Sequence, residues 1–209
     1  MELAELCLIS FLVGFSGAAS PGSVTLTIIK ESADKGIRVG TFFSIGHSLI
    51  EMPVLACLFI GIGSALLKRI LPFLGLIGGI FLVFIGAMTL REGLAGKFKG
   101  KVGKPVEPSE ITRLIGLGAS LSLLNPYWIM WWLTIGAAYV GQSIELGLIG
   151  LVGFYISHIA ADFIVFIGLS ALVSRGHELI GKKGYRIILL ASGLLLVLIG
   201  GKTALDSLT

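Results

Sequence analysis

Six apolar runs, each of about 20 residues or more, divide this chain and set the solvent it must fold in. They lie near Leu3–Ile29, Ile37–Leu67, Ile70–Leu94, Leu114–Val140, Leu146–Val173 and Tyr185–Leu205. A helix needs about 20 such residues to cross a hydrocarbon core about 30 Å thick. Backbone groups in lipid must also find their partners within their own segment, so the runs are expected to be helices. None shows the dyad alternation of a barrel strand. The expected fold class is therefore all-α integral membrane, with six transmembrane helices. The second run is long for one crossing, which predicts tilt or a broken end. Composition agrees, because 55% hydrophobic and 13% charged residues leave too little polar surface to cover a soluble core.

The first run resembles a signal peptide up to Ala18-Ala19-Ser20, but it opens with Glu2 and Glu5 where a signal would be basic, so a retained helix is expected. Basic residues cluster between the runs. The first loop holds Lys30, Lys35 and Arg38; the third holds Arg91, Lys97, Lys99, Lys101, Lys104 and Arg113; the fifth holds Arg175, Lys182, Lys183 and Arg186. Only Lys68, Arg69 and Lys202 fall on the other side. The positive-inside rule then predicts a multi-pass plasma-membrane protein with these three loops in the cytoplasm and both termini outside. The net charge of +4 reflects this orientation rather than a nucleic-acid partner. Gly96–Thr112, rich in Lys, Pro and Glu, reads as a mobile cytoplasmic linker.

The halves on either side of that linker resemble each other. Ser20-Pro21 answers Asn125-Pro126, His47-Ser-Leu-Ile-Glu51 answers His158-Ile-Ala-Ala-Asp162, and the third block, from Phe84 to Leu94, answers Leu198 to Leu208. The blocks keep their order while their offsets drift through 105, 111 and 114 residues. This predicts a first three-helix repeat over residues 1–95, the linker over 96–112 and a second repeat over 113–209. Three helices per copy force the second copy to cross in the opposite sense. Such inverted repeats are common in secondary transporters, with the site near the midplane; a duplicated scaffold is the alternative.

Glu51 and Asp162 both fall well inside an apolar run, where a carboxylate costs roughly 2.5–3.5 kcal/mol to insert. Each follows a histidine by four residues, which places the pair on one helix face. Ser44 and Ser48 extend the first face and Tyr155 the second. His47, Glu51, His158 and Asp162 therefore suit proton coupling. The same two histidines and two carboxylates equally suit a divalent metal such as Zn²⁺ or Mn²⁺. A buried pair that only locks helices together is the structural alternative.

Pro21-Gly22 and Pro126 interrupt the first and fourth runs, and proline frees the carbonyl four residues earlier. Flanked by Ser20, Ser23 and Asn125, these breaks can present bare backbone to a substrate. Trp128 is placed to face a substrate ammonium, whereas Trp131 and Trp132 read as an aromatic belt at the outer interface. Gly75-x-x-x-Gly79 and Gly147, Gly150 and Gly153 read as helix-packing surfaces. No Walker A sequence is present, so ATP is not the expected energy source. Cys7 and Cys57 stand apart, and no cofactor is called for.

Four stretches together resemble the LysE/RhtB family of amino-acid exporters. They are Gly14-Phe-Ser-Gly-Ala-Ala-Ser-Pro-Gly22-Ser-Val, Lys35-Gly-Ile-Arg-Val-Gly40, Leu123-Leu-Asn-Pro126 and Ala161-Asp162-Phe-Ile-Val-Phe-Ile-Gly168. The resemblance implies a six-helix transporter that is not an enzyme, exporting amino acids with protons as the coupling ion. It implies substrate-binding roles for Pro21, Gly22, Asn125 and Pro126 and a functional role for Asp162. Trp128, His47, Glu51 and His158 rest on burial and symmetry instead. The partners implied are a small-molecule substrate, protons and the lipid bilayer, with homo-oligomer formation left open. Two alternatives come from the wider superfamily. A divalent-metal exporter fits the His/carboxylate set. A thiol–disulfide electron carrier would need a cysteine beside each break, where this chain has Gly22 and Tyr127.

Overall fold

The computed structural model describes residues 2–20, 22–60, 63–95 and 106–208, and every regular element among them is helical. In chain order these are α1 (Leu3–Ala19), α2 (Ser23–Lys35), α3 (Arg38–Phe59), α4 (Gly63–Leu94), α5 (Pro108–Leu123), α6 (Pro126–Trp131), a π-helical turn (Trp132–Gly136), α7 (Ala137–Glu145) and α8 (Gly147–Asp206). Pro21 and residues 96–105 of the expected linker lie outside the described residues. The last five linker residues are not loop but the first turn of α5, which Pro108 opens at a position where its missing N–H costs nothing.

Both expected breaks are present. Ser20 precedes a proline and is accordingly extended (φ −66°, ψ 134°), which ends α1. After Gly22 the chain re-enters helix, and α1 and α2 meet at 69°. Asn125 is extended for the same reason (φ −92°, ψ 109°), and its side chain accepts from Tyr127 N at 3.0 Å to cap α6. Gly36, at φ +79°, turns the chain from α2 into α3. Gly147 has φ +68° and no atom near its missing Cβ, so it is a turn residue between α7 and α8 and not the packing surface expected of it.

Among the described residues four helices are long and apolar enough to cross a bilayer: Arg38–Phe59, Leu76–Leu94, Gly147–Gly176 and Leu189–Asp206. The bent pair α1–α2 makes a fifth if counted as one span. The second and third segments divide earlier than the hydropathy suggested. α3 ends at Phe59 and α4 begins at Gly63, so Lys68 and Arg69 lie within a helix and not in a loop. Lys and Arg are good helix formers, so charge alone does not end a helix there. α8 is helical from Gly147 to Asp206 but cannot be straight. Phe166 and Ile199 line one cavity, yet a straight helix would hold them about 50 Å apart. Ala33 likewise packs against both Val173 and Leu189, so the chain doubles back between Gly176 and Leu189.

Apolar side chains point outward all round, among them Leu8, Leu12, Ile80, Leu172 and Leu198, each more than half exposed. That surface matches hydrocarbon rather than water. Inside, helices approach backbone to backbone through glycine. A Cβ at Gly79 would lie 2.6 Å from Gly200 O, and one at Gly86 would lie 2.8 Å from Gly193 O, which joins α4 to the end of α8. A Cβ at Gly46 would lie 2.0 Å from Ile115 O, and one at Gly118 would lie 2.4 Å from Phe43 O, which clamps α3 to α5.

One end of the bundle carries ion pairs between α2 and α5. Buried Glu31 accepts from Arg113 Nη2 at 2.5 Å and from Lys35, and Lys35 Nζ also meets Glu110 at 2.9 Å. The bond from Lys35 is the main reason the Glu110 carboxyl sits below its ordinary range. Lys30 Nζ reaches Glu92 at 3.0 Å and ties α2 to α4.

The glycine clamp yields a direct check. Gly46→Ala should destabilise the detergent-solubilised protein by about 1–3 kcal/mol, because rigid backbone meets the new methyl. Gly116→Ala, with nothing within 4 Å, should leave thermal unfolding unchanged or slightly improved.

Candidate functional site

The two helix breaks and the buried acids open on one cavity of about 330 Å³. Ser20, Gly22, Ser23 and Thr25 come from the first break, and Asn125, Tyr127 and Trp128 from the second. The breaks nearly touch, since a Cβ at Gly22 would lie 3.9 Å from Asn125 Nδ2. Ser23 Oγ also donates to Leu121 O at 3.4 Å, so α2 begins where α5 ends. His47 and Glu51 enter from α3, and His158 and Asp162 from α8. Gly22, His47, Glu51, Asn125, Trp128, His158 and Asp162 therefore all line this cavity, and Pro126 sits at the first position of α6.

Glu51 is the centre of the cluster and is fully buried. Its Oε1 accepts from Trp128 Nε1 at 3.1 Å and from Trp132 Nε1 at 3.3 Å. His47 Nε2 and His158 Nε2 lie 3.1 and 3.3 Å from the same oxygen. Asp162 Oδ2 stands further off, 3.7 Å from His47 Nε2 and 3.8 Å from His158 Nε2. Three buried atoms of the cluster have no hydrogen-bond partner among the described residues: Glu51 Oε2, His158 Nδ1 and Asp162 Oδ2. A polar group left unpaired in such a setting is costly and calls for a ligand, an ion or water.

His47 bridges two elements: its Nδ1 lies 2.5 Å from Ser122 Oγ on α5, and its Nε2 faces Glu51.

The tryptophans correct the sequence reading. Trp131 and Trp132 are not an interfacial belt: both are buried, at 8% and 1% exposure. Trp131 stacks on the His158 ring with centroids 4.6 Å apart, and Trp132 donates to Glu51. Trp128, Trp131 and Trp132 stand at i, i+3 and i+4, one face of a helix, and that spacing was the available signal. The π-helical turn that follows shifts the register of the rest of the segment. Ser44 and Ser48 donate to Gly40 O and Ser44 O of their own helix and do not line the cavity. Tyr155 donates to Ser48 O at 2.9 Å and joins α8 to α3. Ser122, the partner of His47, carried no signal in the sequence. Gly14 did: a Cβ there would lie 2.7 Å from His158 Nδ1, so only glycine lets that ring rest on α1.

With that geometry in view, the comparisons are specific. Residues 15–207 match the family model of the LysE type translocator. The chain belongs to that family. No curated protein and no solved structure matches it. The translocator is thus a multi-pass membrane protein whose family moves small molecules across the bilayer.

The Glu51 anchor can be measured. Trp132→Phe keeps the ring beside Trp131 and Phe154 but removes the N–H. In a double-mutant cycle with Glu51→Ala, thermal unfolding should show a coupling of about 1–2 kcal/mol. Strict additivity would mean that the bond does not form.

Proposed function

We propose that the translocator exports amino acids or similar small metabolites from the cytoplasm by proton antiport, with substrate and proton meeting in the one cavity. The observation that carries this is the convergence of two broken helices and a buried His/carboxylate cluster on that cavity. Broken helices that meet at a central site are how secondary transporters expose backbone to substrate. In this reading Pro21, Gly22, Asn125, Pro126 and Trp128 hold the substrate, and Glu51, Asp162, His47 and His158 carry the proton. The chain is built as two inverted three-helix repeats, residues 1–95 and 113–209. The broken run Leu114–Val140 is the fourth of six spans, and the two limbs of α8 are the fifth and sixth. The basic loops face the cytoplasm and the termini face outside. The ion pairs of Glu31, Lys35, Glu110 and Arg113 then close the cytoplasmic end.

A second reading has its own support. One ligand atom each from His47, Glu51 and Asp162 lies within 4.8 Å of the others, a set that could hold a divalent cation as cargo.

Asp162→Asn separates the two. It keeps the shape but cannot titrate, so in proteoliposomes it should abolish efflux driven by a pH gradient, and whatever amino-acid exchange it still supports should no longer depend on pH. Full gradient-driven efflux in both Asp162→Asn and Glu51→Gln would exclude the proton role. Micromolar metal binding by calorimetry, lost in both variants, would establish the metal reading instead.

A further inference from the structure

The cavity has two electrically opposite ends and one apolar wall, and we infer that it selects a neutral α-amino acid with an apolar side chain. This rests on the export reading above and narrows its substrate.

One end is the start of α2. Ser23, Val24 and Thr25 form the first turn of this 13-residue helix and line the cavity. Gly22 stands at the cap position and has no side chain with which to cap it. First-turn N–H groups and the positive end of the helix dipole receive a carboxylate there. The other end is Asp162. It is 2% exposed, lines the cavity and has Oδ2 without a hydrogen-bond partner. An ammonium supplies both the missing donors and the opposite charge.

The third side decides the class. Leu82 from α4, with Phe166 and Ile199 from the two limbs of α8, also line the cavity, and their side chains carry no polar atom. Among the described residues lining the cavity the basic side chains are His47 and His158, and both already face Glu51. Glu51 Oε2 also lacks a hydrogen-bond partner, but the Glu51 and Asp162 carboxylates lie within 4.8 Å of each other and serve one cation between them. The side chain of lysine or glutamate would therefore bury its charge against hydrocarbon. The volume of about 330 Å³ is near the lower limit for small-molecule sites, which suits one amino acid and nothing much larger.

The test is counterflow of radiolabelled L-leucine into proteoliposomes that hold the full chain. L-leucine should accumulate and L-isoleucine compete, while L-lysine and L-glutamate compete at least about tenfold more weakly. Isoamylamine and 4-methylpentanoate each lack one charged end and should also compete weakly. Leu82→Asp puts an anion on the wall and should raise lysine relative to leucine by about tenfold; Ile199→Asp makes the same change from another element, should the first variant not reach the membrane. Wild-type preference for lysine or glutamate would overturn this inference and leave the exporter standing. Equal competition by either one-ended analogue would overturn the two-ended docking. An unchanged lysine-to-leucine ratio in both wall variants would overturn the role of the wall. Counterflow of no amino acid at all would overturn the export reading itself.

Discussion

A helix that breaks inside a bilayer leaves backbone groups that lipid cannot satisfy, and the rest of this bundle is arranged around two such breaks. At the first, Ser20 must be extended because a proline follows, and α2 restarts at Ser23 with an uncapped first turn. At the second, Asn125 is extended for the same reason and spends its side chain on capping α6. The only place for such groups is against each other, around space that is not lipid. The glycine contacts of α3 with α5 and of α4 with α8 bring the helices close enough to enclose that space.

The enclosed acids follow the same logic. A carboxylate deep in an apolar bundle is tolerable only where donors converge on it. Glu51 has two indole N–H groups and two imidazoles around one oxygen. Asp162 is less provided for: its Oδ2 has no hydrogen-bond partner and stands 3.7 and 3.8 Å from the two histidines. The two carboxylates thus differ in surroundings despite their matching positions in the sequence.

The parts of this site that were legible in the sequence are those that contradict their surroundings. Prolines, acids and histidines in an apolar run demand an explanation, and Gly22, His47, Glu51, Asn125, His158 and Asp162 all line the cavity. Residues that agree with their surroundings give no such signal. Leu82, Phe166 and Ile199 face the cavity, but in a membrane sequence they look the same as Leu198 or Ile80, which face lipid. Trp131 and Trp132 were misassigned because tryptophan is common at bilayer interfaces, although their spacing from Trp128 put all three on one face. Lys68 and Arg69 read as a loop because charge marks a boundary in an apolar sequence, but α3 already ends at Phe59 and α4 begins at Gly63. The return of α8 on itself falls where the sequence marks its fifth basic loop, between the runs Leu146–Val173 and Tyr185–Leu205, although the backbone there is helical.

The central claim is that substrate and proton compete for the same buried cluster, and proton release on binding tests it most directly. A transported amino acid is added to detergent-solubilised protein in weak buffer containing a pH indicator, from about pH 5 to about pH 8, where such a carrier must titrate. The account predicts that binding strengthens as pH rises, that protons are released on binding at the acid end of the range, and that Asp162→Asn removes both effects. Binding of equal affinity across the range, with no proton released by the wild-type protein, would contradict it.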